Sequence, residues 1–149
     1  MTTSAPENPF GRSVTSDDIV DTLGFFDTWE DRYKYIIDLG KEIPSMPQSL
    51  HTDDRLVRGC QSQVWMDIAV IDGRFVIAVD SDALIVKGLL GVVLAAFNYK
   101  TPEQILAFDV EGYLDSLDLL SHLSPARGNG LRAMVGRIQQ RAGATDAGI

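Results

Sequence analysis

The sequence predicts an α+β domain in which a small antiparallel sheet is packed with helices, and three observations carry that expectation. Residues 64–71 alternate along a strand period and run into Asp72-Gly73, a preferred two-residue hairpin turn, with Phe75, Ile77 and Val79 returning as the partner strand. Gly88 to Phe97 forms a ten-residue apolar run, too long for a typical strand and far short of the roughly 20 residues needed to cross a bilayer. Thr101-Pro102-Glu103-Gln104 combines a capping hydroxyl, proline at the first helical position and a capping-box glutamine.

Each element has a local reason. Residues 1–15 are polar, contain Pro6 and Pro9 and show no sustained apolar period, so they read as a disordered arm. Ser16 and Asp17 cap a short helix reaching Phe26, and Thr28 caps a second in which Trp29, Tyr33, Ile36 and Ile37 recur at helical spacing before Gly40. Pro44 and Pro47 then forbid helix, and the polar stretch 50–59 suits a loop with a short edge strand. After the hairpin, Ser81 offers its hydroxyl to a long helix from Asp82 to about Asn98, with Gly88 and Gly91 permitting close packing.

A further helix begins at Thr101, a short one follows over 113–120, and residues 124–130 form a loop around Ala126 and Arg127. Leu131, Met134, Val135 and Ile138 mark one face of a last helix, and the chain frays from Gly143. No repeat or linker divides the chain, so one domain over residues 16–142 is expected, between an arm at 1–15 and a tail at 143–149.

Composition narrows the function. Twenty-one acidic against thirteen basic residues give a net charge of -8, which argues against a nucleic-acid partner because phosphates would be repelled. One cysteine cannot form an internal disulfide, and residues 1–8 lack the basic start and apolar run of a secretory signal, so a reducing, cytoplasmic setting and no membrane association are expected. One cysteine and two distant histidines are also too few to ligate an iron–sulfur cluster or a structural zinc.

The remaining chemistry centres on Arg58-Gly59-Cys60-Gln61-Ser62-Gln63-Val64-Trp65, which places the sole thiol in a polar turn ahead of the strongest strand. Gly59 leaves space for another molecule's backbone, and a loop lets the sulfur pass between sheltered and exposed positions. Attack on a sulfur–sulfur bond requires the thiolate, which a cation such as Arg58 or Arg127 would favour. On residue type alone Cys60 fits equally a small buried hydrophobe. A cysteine hydrolase using His51 or His122 is a weaker reading, since no nucleophile turn is recognisable.

The segment Gly59 to Trp65 resembles the persulfide loop of the SufE-type sulfur acceptors, which work with pyridoxal-phosphate cysteine desulfurases. Asp80-Ser81-Asp82-Ala83 continuing through Ile85-Val86-Lys87-Gly88-Leu89 resembles that family's next helix start, and His122-Leu123, Pro125, Arg127 and Gly130-Leu131 resemble its late loop. Residues 29–40 are similar to its second helix, so the likeness extends from about 17 to 142. The resemblance implies a three-stranded antiparallel sheet flanked by helices, a fold shared with the NifU/IscU-like scaffolds. It also implies that Cys60 accepts persulfide sulfur from a SufS- or CsdA-like desulfurase, stimulates that enzyme and passes the sulfur to an iron–sulfur scaffold or another sulfur-using acceptor. No cofactor is then resident here, the pyridoxal phosphate belonging to the partner. Gly59, Gln61, Asp82 and Arg127 are the implied residues for positioning the loop or the partner. A desulfurase-docking module without relay is the alternative.

Overall fold

A computed structural model describes residues 8–60 and 62–146. Among these residues are six helices and a two-stranded sheet: α1 (Ser16–Phe25), α2 (Trp29–Lys41), β1 (Val64–Ile71), β2 (Arg74–Ser81), α3 (Leu84–Phe97), α4 (Pro102–Ala107), α5 (Val110–Leu117) and α6 (Pro125–Asp146). Among the described residues no helix is long and apolar enough to cross a membrane.

The apolar run forms the centre of the molecule. In α3 every residue from Gly88 to Phe97 is buried, so this helix is enclosed on all sides rather than along one stripe. Its closest neighbour is α2, and two glycines set the approach: a Cβ on Gly40 would lie 2.8 Å from Gly88 N, and one on Gly88 would overlap the Ile36 carbonyl. Phe75, Ile77 and Val79 of β2, with Val64 and Met66 of β1, complete the same core. Tyr113 of α5 is buried against α3 and donates its hydroxyl to Val92 O at 2.9 Å, which satisfies the polar end of an otherwise apolar contact.

The hairpin follows the expected register, Val64 opposite Ser81 through Ile71 opposite Arg74, and Asp72 and Gly73 both take positive φ, 53° and 77°, as the tight turn requires. The caps of α2 and α4 also agree: Thr28 accepts from Asp31 N, and Thr101 and Gln104 form the reciprocal capping box.

The third strand is not confirmed. Val57 N donates to Val64 O at 2.8 Å, and Leu56 makes one isolated antiparallel bridge with Trp65, but among the described residues no further ladder forms. Short 3-10 turns at Gln48–Leu50 and Asp53–Arg55 consume the preceding chain, and Gly59, with φ of 94°, turns away immediately afterwards. The extended segment is thus too short to pair as a strand.

Of the expected arm, residues 1–7 lie outside the described residues, and residues 8–15 meet the core. Phe10 is fully buried in the core, and its carbonyl accepts from buried Asn98 Nδ2 at 3.1 Å, while Asn98 Oδ1 accepts from Ile77 N at 2.9 Å. One amide therefore ties the N-terminal segment, the end of α3 and β2 together, and a lone aromatic without periodicity gave no sign of it. The cap of α1 is Thr15 with Asp18 rather than Ser16 or Asp17. Helix α3 starts later than expected because Ser81 caps only a local turn to Ala83 N, and α5 lies earlier, beginning after its Asp109 cap.

The expected loop at 124–130 is helical. Ser124 Oγ accepts from Arg127 N at 3.3 Å and Ser124 O from Gly128 N at 2.9 Å, so Ser124 begins α6 with Pro125 in its first turn. Leu131, Met134, Val135 and Ile138 form its buried face as expected, and the helix continues past Gly143 to Asp146.

Candidate functional site

The loop carrying Cys60 leads into β1 at Val64 and lies across the first turns of α6. Gly59 takes a left-handed conformation, and a Cβ there would stand 3.3 Å from Ala133 Cβ, so glycine serves both the turn and the close passage over the helix. Cys60 is half-buried, and its Sγ lies 3.6 Å from Gly130 O, to which the thiol donates a weak hydrogen bond. Gly130 is itself buried against the sulfur: a Cβ on it would come 3.3 Å from Sγ. A glycine in the second turn of α6 thereby makes the bed on which the thiol rests.

Beside the thiol is a cavity of about 250 Å³. Val86 and Leu89 of α3 and Met134 of α6, all buried, supply its apolar wall, while half-buried Ser62 and exposed Ser124 and Arg127 supply its polar side. Burial pushes the Cys60 thiol up from its ordinary value. In this arrangement the sulfur is held as a neutral thiol, and neither Arg127 in the same cavity nor exposed Arg58 reverses the effect, contrary to the expectation that one of them lowers it.

A second contact fixes the loop's far end. Asp82 Oδ1 accepts from Gln63 N at 3.1 Å, and Asp82 N donates to Gln63 O at 3.3 Å. The carboxylate that the sequence suggested for the α3 N-terminus instead clips the cysteine loop to the turn entering that helix. The structure therefore brings Cys60 and Arg127 to one cavity; Gly59 packs against Ala133 beside it, and Asp82 is tied to the cysteine loop through Gln63. Gln61 lies outside the described residues.

The two histidines are elsewhere. His51 Nε2 is 2.7 Å from Asp80 Oδ2, whose other oxygen faces Lys87 Nζ at 3.5 Å, and the imidazole meets Trp65 edge-on. His122 stacks on Trp29 with centroids 3.9 Å apart and contacts Ser121. Neither lines the Cys60 cavity. Sequence reasoning missed the bed and walls of the site: Gly130, Ser62, Val86, Leu89, Ser124 and Met134. Arg127, Gly130 and Met134 follow a helical spacing of three and four, a signal that becomes readable once Ser124-Pro125 is taken as a helix start.

The family model described as "SufE: Fe-S metabolism associated domain" matches residues 17–142. The chain belongs to the SufE family. An uncharacterized SufE-like protein of Rhizobium meliloti (strain 1021) is 42% identical over 130 residues, covering 85% of this chain and 93% of its own. A second, from Rhizobium etli, is 40% identical over 136 residues, covering 85% and 88%. The solution structure of a hypothetical protein from Thermus thermophilus superposes with a TM-score of 0.70 at 19% identity, covering 85% of this chain and 92% of that one, and shares the fold. Membership in this family associates the chain with iron–sulfur metabolism.

Proposed function

We propose that this SufE-family chain is a sulfur carrier: Cys60 takes sulfur from a persulfide on a pyridoxal-phosphate cysteine desulfurase and passes it to iron–sulfur cluster assembly or another sulfur-using acceptor. The observation that carries the reading is the housing of the sole cysteine, a half-buried thiol on a clipped loop beside a cavity large enough for an added sulfur atom. In the uptake step the Cys60 thiolate attacks the outer sulfur of the donor persulfide. A new sulfur–sulfur bond forms on Cys60, the donor bond breaks, and the desulfurase cysteine leaves as thiolate; no net oxidation occurs. Discharge repeats the exchange with the next acceptor thiol.

Loop movement reconciles storage with reaction. Inside the cavity the sulfur is neutral and shielded, whereas attack needs an ionised and reachable sulfur. The Asp82–Gln63 clip and the Gly59 turn suit a loop that swings from one state to the other, and Arg127 stands where it can meet an anionic group of the partner or its cargo.

The test is the desulfurase's turnover of L-cysteine with the wild-type chain and with Cys60→Ser, measured as alanine formed. Stimulation lost in a folded Cys60→Ser chain supports relay. Full stimulation by that variant would instead make the protein a docking module.

A further inference from the structure

Building on the reading of Cys60 as a persulfide carrier, we propose that the cavity admits a small carboxylate-bearing thiol of amino-acid size, and that Cys60 persulfide discharges its outer sulfur to that molecule directly. Three features support this. The cavity, about 250 Å³, is far larger than one added sulfur requires, since a water molecule occupies only about 30 Å³ in the liquid. It is also smaller than the ~300–1,000 Å³ of sites for drug-sized ligands, which fits a molecule of six or seven heavy atoms. Its lining divides by chemistry: Val86, Leu89 and Met134 suit a short alkyl and thiol portion, and Ser62, Ser124 and Arg127 suit a charged head group.

The guanidinium decides the sign of that head group. Among the described residues Arg127 makes no side-chain ion pair or hydrogen bond, although the chain carries eight more acidic than basic residues. By contrast Arg55 pairs with Asp67, Arg132 with Glu111, and Arg137 reaches the Leu56 and Asp54 carbonyls. A planar cation left open at the edge of a sulfur-bearing cavity matches a carboxylate, which it can hold through two parallel hydrogen bonds.

The step balances without another reactant. The small thiol, as thiolate, attacks the outer sulfur of the Cys60 persulfide; that sulfur–sulfur bond breaks, and Cys60 leaves carrying the bonding electron pair. The proton released by the incoming thiol returns to Cys60 through water, so thiol plus protein persulfide gives small-molecule persulfide plus protein thiol. Attack on the inner sulfur would instead leave the small thiol on Cys60 and release hydrogen sulfide.

The test loads Cys60 with persulfide chemically, using inorganic polysulfide, so that it stands apart from whether a desulfurase donates. Desalted persulfidated protein is mixed with 3-mercaptopropionate, 2-mercaptoethanol or cysteamine, and transfer is followed by intact mass and by trapping the small persulfide with an alkylating agent. Rates are corrected for thiol ionisation and intrinsic nucleophilicity. After correction 3-mercaptopropionate is expected to react about two- to fivefold faster than the neutral thiol, and the ratio of the two rates to fall to about one in Arg127→Gln. Equal corrected rates, an advantage that survives Arg127→Gln, or hydrogen sulfide with the thiol retained on Cys60 would each overturn the proposal. Failure of a desulfurase to load Cys60, with these transfers intact, would count against the carrier reading alone.

Discussion

Replacing Asp82 with alanine removes the acceptor for Gln63 N at 3.1 Å and leaves the reciprocal bond from Asp82 N to Gln63 O, so it cuts one of two ties on the cysteine loop. A hydrogen bond of this kind contributes about 0.5–1.5 kcal/mol net, toward the lower end here because Asp82 is exposed. Since about 1 kcal/mol is a fivefold change in an equilibrium, the open-loop population should rise between about twofold and tenfold. If Cys60 reacts only from the open state, its alkylation by iodoacetamide, a neutral reagent, accelerates by the same factor, read as a second-order rate from intact mass. Global stability should fall by no more than about 1.5 kcal/mol. Asp82→Asn keeps a carbonyl oxygen where Oδ1 stands and should stay within about twofold of wild type. An alanine variant that alkylates at the wild-type rate would refute the clip, and matching acceleration in the asparagine variant would assign the effect to charge rather than to the hydrogen bond.

Other expectations follow from the same geometry. Gly88→Ala drives a methyl into the Ile36 carbonyl at the α2–α3 contact, so a loss of more than about 3 kcal/mol and a fall in Tm of at least about 6 °C are expected by calorimetry, with an unchanged Tm contradicting the packing. Because burial raises the Cys60 pKa, thiolate absorbance should titrate above the ~8.5 of a free cysteine in the native chain and return to it in urea. The stability contributed by that buried thiol is complete below the unfolded value and lost as pH rises through the folded one. For Asp80, burial raises the pKa, but the His51 bond, Ser81 N and Lys87 outweigh it and leave the carboxyl below its ordinary value. Its contribution is therefore full above about pH 4 and lost as pH falls through the folded value, and Asp80→Asn should flatten that part of the acid-unfolding curve.

Much of this molecule was readable where local chemistry and tertiary demand coincide. Thr28 and the Thr101/Gln104 box cap helices because their side chains satisfy nearby backbone donors whatever surrounds them, and Asp72-Gly73 turns because both residues tolerate positive φ. The failures lie where a distant partner decides. Gly128-Asn129-Gly130 reads as a loop by propensity, yet it is helical because Ser124 and Pro125 start α6 and the absence of a Gly130 side chain accommodates the Cys60 sulfur. Phe10 has no periodic neighbours to mark it, and its carbonyl is held by Asn98 at the far end of α3. The third strand, plausible from Leu56 and Val57, ends after one bridge because Gly59 turns the chain toward α6. At the site, Cys60 and its loop stood out by composition, whereas the cavity's bed and walls came from two helices whose registers had to be known first.

The central claim is that sulfur rides on Cys60, and intact-protein mass spectrometry tests it most directly. The wild-type chain and Cys60→Ser are each incubated with a cysteine desulfurase and L-cysteine in the absence of reductant. Sulfur-mass increments on the wild type alone, mapped to the peptide bearing Cys60 and removed by dithiothreitol, are the expected result; increments on the serine variant, or none on either chain with a desulfurase shown to be active, would contradict it.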